Sequence, residues 1–240
     1  MHIVKLSNIK KTYPMGKVIV HAVNGIDLAI DKSDFVVIAG PSGAGKTTIM
    51  NIIGLIDKPS SGQVEIEGQI TNDLSDIELT NIRYEYLGFI FQSFNLIPIL
   101  NVFENIELPL LLGKRTLAKG ERKEWINYLL KEVGLANWRQ HRPSELSGGQ
   151  RQRVAIARAL ATKPQIVIAD EPTANLDSKT GTTIINLMKK INKEQKTTFI
   201  FSTHDIVIRE MADHVVQLQD GKIISEEEKT KRVASGSNSI

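Results

Sequence analysis

Apolar positions fall along this chain in two rhythms, and each switch between them marks an element. Val4 to Ile9, Val18 to Val23 and Gly25 to Ile30 alternate or are β-branched. They predict three strands, the first two joined by a turn at Pro14-Met15-Gly16. The unbroken apolar run Phe35 to Ala39 predicts a buried strand, and Ile49 to Ile53 the start of a helix. Further strands are predicted at Gln63–Gly68 and Leu87–Phe91, with a helix at Leu74–Tyr84 between them. From Val102 to Val133 the spacing is helical, interrupted by a loop over Leu112–Lys119, and Trp125 and Trp138 are expected to pack that region. Ser147 reads as the N-cap of a helix running to Leu160. A strand at Gln165–Glu171, a helix at Ser178–Asn192, a strand at Thr197–Thr203 and a hairpin around Asp220-Gly221 complete the pattern. Residues from Glu226 onward are charged and then rich in Ser, Gly and Asn, which predicts a disordered tail over 226–240.

The predicted strand Phe35–Ala39 and the following helix are joined by Gly40-Pro41-Ser42-Gly43-Ala44-Gly45-Lys46-Thr47-Thr48. This has the form G-x-x-x-x-G-K-[ST] in the strand–loop–helix setting that such a phosphate loop needs. Its glycines let backbone N–H groups close around phosphate oxygens, and the helix N-terminus adds positive potential at the same spot. Lys46 would reach the β- and γ-phosphates, and the Thr47 hydroxyl would bind Mg²⁺. The strand Gln165–Glu171 ends in two carboxylates. Downstream of a phosphate loop, Asp170 is placed to hold Mg²⁺ and Glu171 to polarise an attacking water.

Three further positions are ambiguous by themselves. Tyr13 closes the first strand and can either stack on a purine or pack on the surface. Gln92 ends a strand, where a polar residue commonly just opens a loop. His204 ends another, at the edge where parallel α/β sheets bind ligands. The stretch Leu146-Ser147-Gly148-Gly149-Gln150 puts two glycines in a first helical turn, at a cost of roughly 1 kcal/mol each. That is reasonable where backbone must approach something closely, and it makes a second anion site. The arginines that follow, Arg151, Arg153 and Arg158, are expected to form a solvated face with local ion pairs.

Composition changes this picture little. Thirty basic against 27 acidic residues leave a net charge of +3, too balanced to argue for nucleic acid. There is no cysteine, hence no disulfide framework or thiolate chemistry. The N-terminus enters an alternating pattern directly, so no secretory leader is expected. The apolar stretches Asn95–Leu100 and Leu108–Leu112 are too short to span a bilayer.

The order of these motifs resembles the nucleotide-binding subunit of ABC transporters over about residues 3–225: GPSGAGKTT at 40–48, Gln92, LSGGQ at 146–150, IVIADE at 166–171, NLD at 175–177 and His204. The resemblance implies an α/β fold, a P-loop NTPase (RecA-like) core over 1–92 and 161–225 with an antiparallel β lobe and an inserted helical lobe at 93–160. It implies ATP and Mg²⁺ as ligands. Tyr13 resembles the adenine-stacking aromatic. Gln92 resembles the glutamine that touches Mg²⁺ and the attacking water. Ser147, Gly148, Gly149 and Gln150 form the signature that caps the γ-phosphate held by a second subunit. Asp177 resembles the aspartate that crosses the dimer interface, and His204 the histidine that contacts the γ-phosphate. Asn175 stands where some members carry alanine, and Ala44 where serine is common; neither removes a chemical group from these roles. The resemblance further implies an ATP-bound homodimer docked on an integral membrane permease at the cytoplasmic face of the cell membrane, with no nucleic acid partner. QSFNLIPILNVFENIELP at 92–109 and EPTANLD at 171–177 are similar to the lipoprotein-releasing and macrolide-exporting group. Two alternatives are a regulatory ATPase that signals through a membrane partner in cell division and a soluble ATPase of DNA repair or translation. No heptads intervene between phosphate loop and signature, and one Lys-containing loop is present, against the soluble types.

Overall fold

The alternation read from the sequence builds two sheets. The computed structural model describes residues 2–16, 18–113, 117–203 and 206–229, excluding the side chains of Ile206 and Val207. The strands are β1 (His2–Met15), β2 (Val18–Asp31), β3 (Phe35–Ala39), β4 (Ser61–Ile66), β5 (Gln69–Ile70), β6 (Leu87–Ile90), β7 (Ile166–Asp170), β8 (Thr198–Ser202), β9 (His214–Gln219) and β10 (Lys222–Glu228). The helices are α1 (Lys46–Ile53), α2 (Asp76–Tyr86), α3 (Val102–Leu112), α4 (Lys119–Glu132), α5 (Gly148–Leu160), α6 (Ser178–Gln195) and α7 (Ile206–Met211).

One sheet has the order β2-β1-β4-β5, all neighbours antiparallel. The other has the order β10-β9-β3-β8-β7-β6, parallel throughout except for the β10 edge. This is the α/β, RecA-like phosphate-loop arrangement with an antiparallel lobe. The two strands expected at Val18–Val23 and Gly25–Ile30 are one strand, β2, whose register against β1 shifts several times. The break read at Asn24-Gly25 is thus an irregularity within a strand, the usual place for a strand glycine.

The parallel sheet is buried on both faces, as its unbroken apolar strands require. Phe35, Val37, Val167, Phe199 and Phe201 face one core shared with α3, α4, α5 and α6. Val36, Ile38, Ile166, Ile168 and Ile200 face a second, shared with α1, α2 and the antiparallel sheet. The helices between 93 and 160 therefore have no core of their own; they finish one face of the sheet. Trp125 and Trp138 pack against that core, with the Trp125 indole donating to the Ala161 carbonyl at 2.8 Å.

Residues 226–228, expected to open a disordered tail, are strand. β10 continues through Glu228, pairing Glu226, Glu227 and Glu228 with Val216, Val215 and His214 of β9. The buried His214 ring meets the Glu226 carboxylate at 2.9 Å, so part of the acidic run is a strand with a partner. Residues 230–240 lie outside the described residues. Among the described residues, no helix is long and apolar enough to cross a membrane.

Candidate nucleotide site

Loops that leave the C-terminal ends of parallel strands converge by geometry, and in this sheet those loops carry the predicted chemistry. The phosphate loop follows β3, Gln92 follows β6, Asp170 and Glu171 close β7, and Ser202 closes β8. Gly40–Gly43, Gly45–Thr48, Gln92, Asp170 and Glu171 line a single open cavity of about 630 Å³, with Val20, His21 and Ala22 of β2 along its other wall. Ala44 does not join them. Its side chain is buried in the core and its amide donates to Pro41 within the loop.

Sterics hold the loop in place. Gly45 sits at φ 99°, and a Cβ there would lie 2.4 Å from the Ala22 carbonyl oxygen of β2. Lys46 lies back across the loop, donating to the carbonyls of Gly40 and Pro41 at 2.8 and 3.0 Å. α1 starts from Gly45 with no side chain capping it and no acid in its first turn, which leaves its positive end facing the cavity.

Ser202 meets both acidic residues, one at its carboxylate and the other at its backbone amide. Its hydroxyl donates to the Asp170 carboxylate. Its carbonyl and hydroxyl oxygens both accept from the Glu171 amide, at 3.1 and 3.3 Å. Glu171 holds a left-handed backbone, φ 45°, which a non-glycine residue adopts at a cost of order 1–3 kcal/mol. Nothing in the sequence marked Ser202 beyond its place as a polar residue ending a strand beside that of Asp170.

Tyr13 borders this cavity without lining it. It pairs with Val20 across the β1–β2 hairpin. Its hydroxyl donates to Asp57 at 2.6 Å and the Lys11 ammonium lies 4.9 Å from its ring centre. Burial, then the Asp57 contact, pushes the Tyr13 hydroxyl above its usual range. His204 lies outside the described residues.

The signature residues do not line this cavity. Ser147 is exposed and caps α5 in a closed box: its hydroxyl accepts from the Gln150 amide at 3.3 Å, and the Gln150 side chain accepts from the Ser147 amide at 2.9 Å. Asp177 caps α6 by accepting from Thr180 at 3.0 Å, a contact that holds its carboxyl below the usual range. The two caps abut, since a Cβ on Gly148 would touch Asn175 and Leu176, and one on Gly149 would touch Thr180.

The arginines of α5 do not form the expected solvated face of ion pairs. The Arg158 guanidinium donates to the carbonyls of Asn95 and Phe94 at 2.6 and 2.7 Å, and burial pushes it below its ordinary value. Arg153 donates to the Val133 carbonyl at 2.9 Å, and Arg151 lies over the Phe94 ring. These side chains tie α5 to loops because backbone carbonyls, not carboxylates, are what those loops turn toward it.

The donor set fits a magnesium nucleotide. A cationic Lys46 and an uncapped helix end suit phosphate oxygens. The Thr47 hydroxyl, the Asp170 carboxylate and the Gln92 amide offer hard oxygens around one cavity.

The ABC transporter family model matches residues 23–174. An uncharacterized ABC transporter ATP-binding protein, MJ0796 of Methanocaldococcus jannaschii, is 49% identical over 226 residues, 93% of this chain and 96% of that protein. The lipoprotein-releasing system ATP-binding protein LolD 1 of Rhodopseudomonas palustris is 43% identical over 224 residues, 92% of this chain and 98% of its own. A dimeric post-hydrolysis structure of MJ0796 bound to ADP and Pi matches with a TM-score of 0.87 at 48% identity, covering 94% of this chain and 98% of that one. A phosphate loop, a separate capped signature and two strand-end carboxylates in this order, with these relatives, place the chain in the ABC transporter family, as an ATP-binding subunit and an ATPase.

Proposed function

We propose that this ATPase works as a homodimer that closes on two ATP molecules and drives a lipoprotein-releasing or macrolide-exporting type of permease from the cytoplasmic face of the cell membrane. One observation carries the dimer. The phosphate-handling residues share one cavity, which Ser147–Gln150 and Asp177 of the same chain do not line. A head-to-tail pair brings the partner's Ser147 and Gly149 to the open side of each cavity.

In that site Lys46 and the amides of Gly43–Thr48 hold the β- and γ-phosphates. Thr47, Asp170 and Gln92 would hold Mg²⁺, which neutralises charge on the phosphate oxygens when bound. Glu171 takes a proton from water as the water oxygen bonds in line to the γ-phosphorus and the bond to the bridging oxygen breaks, releasing ADP and phosphate. The left-handed backbone and the two bonds from its amide to Ser202 support this role by holding the Glu171 main chain. Tyr13 stacks on adenine at the hairpin, and His204 contacts the γ-phosphate.

A groove of about 430 Å³ suits the permease. It lies between the two cores and is lined by Arg83, Tyr84, Phe89, Phe91, Pro109 and Arg158 among others. Leu111 and Leu112 stand exposed at the adjoining end of α3. The likeness to LolD 1 supports the lipoprotein-release group; a macrolide export ATP-binding/permease protein, MacB of Bdellovibrio bacteriovorus, is 45% identical over 224 residues, 34% of its length.

The test is Glu171→Gln, purified from its own cells in mild detergent with Mg-ATP. Turnover falls by at least about a hundredfold while an ATP-bound dimer accumulates. A permease with a large extracytoplasmic domain co-purifies. An unchanged turnover rate refutes Glu171 as the base, and recovery of soluble partners alone refutes the membrane role.

A further inference from the structure

The loop that carries Gln92 is held from two sides by its backbone. Downstream, Phe94 and Asn95 both adopt left-handed backbone, φ 59° and 48°, and present their carbonyls to Arg158 of α5. Upstream, the Gln92 carbonyl accepts from the Asn175 side-chain amide at 2.8 Å. Asn175 belongs to the loop between Glu171 and the Asp177 cap, and its own carbonyl lies 3.6 Å from the position of a Cβ on Gly148 of the signature. An exposed asparagine side chain thus links the cavity-lining glutamine to the loop that abuts the signature helix.

We propose that Asn175 is a positioning residue for ATP hydrolysis, holding the Gln92 backbone so that its side chain meets the reacting water. The inference rests on the role given to Gln92 above. The physics is specific. Gln92 lies at a strand end and is exposed, so its own packing does not fix it. The Arg158 contacts begin two residues later; around Gln92 itself the Phe94 amide donates to the Phe91 carbonyl at 3.2 Å, and the Asn175 bond is what ties the Gln92 carbonyl to another loop. A bond to a neutral carbonyl is worth only about 0.5–1.5 kcal/mol in stability. A displacement near 1 Å at a catalytic group costs far more in rate. Loss of Asn175 therefore appears in turnover rather than in folding.

The experiment uses the full chain, with steady-state ATPase kinetics and thermal midpoints for Asn175→Asp, Asn175→Ala, Asn175→Gln, Gln92→Ala and the Gln92→Ala/Asn175→Ala double variant. Asn175→Asp replaces the donor with an acceptor of the same shape facing the Gln92 carbonyl. It and Asn175→Ala lower kcat on the order of tenfold, with KM within about twofold. Asn175→Gln, which keeps the donor, recovers most of the rate. The double variant turns over at the Gln92→Ala rate, because Asn175 acts through that side chain. Parent-like kcat in Asn175→Asp and Asn175→Ala, or effects that multiply in the double variant, overturns the inference while Gln92→Ala still loses rate. A parent-like Gln92→Ala overturns the reading of Gln92 itself.

Discussion

Two helices of this molecule begin at the proposed anion sites, and they begin differently. α1 starts at Gly45 with no side-chain cap, and its first turn faces the cavity. α5 starts at Ser147 with its cap closed on itself, hydroxyl to amide and amide to side chain, through Gln150. An uncapped helix end is left with unmet donors and favours whatever anion can meet them. A boxed end is already satisfied and gains little from a ligand unless the ligand competes for the same hydroxyl. The first arrangement suits a phosphate bound by one chain alone. The second suits a contact made only when a partner delivers a phosphate to it, so that closure and release stay near balance.

The sharpest way to break this comparison is to change Ser147 while preserving the cap. Asp caps a helix about as well as Ser, so Ser147→Asp keeps the thermal midpoint. It sets a carboxylate against the phosphate brought by the partner, and ATP-induced dimerisation and turnover are lost by at least about a hundredfold. Ser147→Ala does the converse to the cap. It loses about 1 kcal/mol, or roughly 2–4 °C in a chain of this size, with a smaller loss of rate. If Ser147→Asp turns over normally, the signature surface does not meet phosphate and the two helix ends are not a pair.

A second, smaller effect separates what the signature glycines do. A Cβ on Gly149 would lie 2.5 Å from Thr180 Cγ2 on α6. Gly to Ala in a helix gains up to about 1 kcal/mol from propensity, whereas forcing a methyl into a filled space costs about 1–3 kcal/mol. Gly149→Ala is therefore destabilising by about 1 kcal/mol, and adding Thr180→Ser, which removes that methyl, restores the midpoint. Failure of the second substitution to rescue the first would mean that Gly149 is glycine for the nucleotide's sake.

Much of this was legible in the chain. Period-two and unbroken apolar runs located the strands, and Lys46, Asp170 and Glu171 stood out because Lys46 opens a helix in a phosphate-loop motif of fixed spacing and the two acids close a strand. What could not be read were contacts between loops distant in sequence. Ser202 serves Asp170 and Glu171 from 32 and 31 residues away. Arg158 and Asn175 grip the Gln92 loop from 63 and 83 residues away. Helical spacing assigned Arg158 to a solvated face, because periodicity records which side of a helix is polar and not which backbone carbonyl will come to meet it. The acidic run at Glu226–Glu228 looked unfoldable by composition, yet a strand edge and a buried His214 accept it.

The smallest expected effect lies at the adenine end of the uncapped site. Asp57 joins Lys11 at 2.6 Å and Tyr13 at 2.6 Å, and so fixes the ring proposed to stack on the base. Burial pushes the Asp57 carboxyl up, but hydrogen bonds from Lys11 and Tyr13 outweigh it and hold the group below its usual range. A carboxyl lowered in the folded state contributes stability above its unfolded pKa, near 3.9, and loses it as pH falls through the lower folded value. The contact is partly exposed, so solvent screening limits it to below about 1 kcal/mol. Asp57→Asn therefore melts slightly below the parent at pH 7, and the gap starts to close as pH drops below about 4, where the unfolded chain's carboxyl protonates, and is gone below the lower folded value. The KM for ATP of Asp57→Asn at pH 7 rises by no more than a few fold, since stacking needs the ring and not the charge. A melting gap that stays constant down to acid pH would assign Asp57 to packing alone. A large rise in KM would show that the uncapped site depends on its hairpin for orientation as much as on α1 for charge.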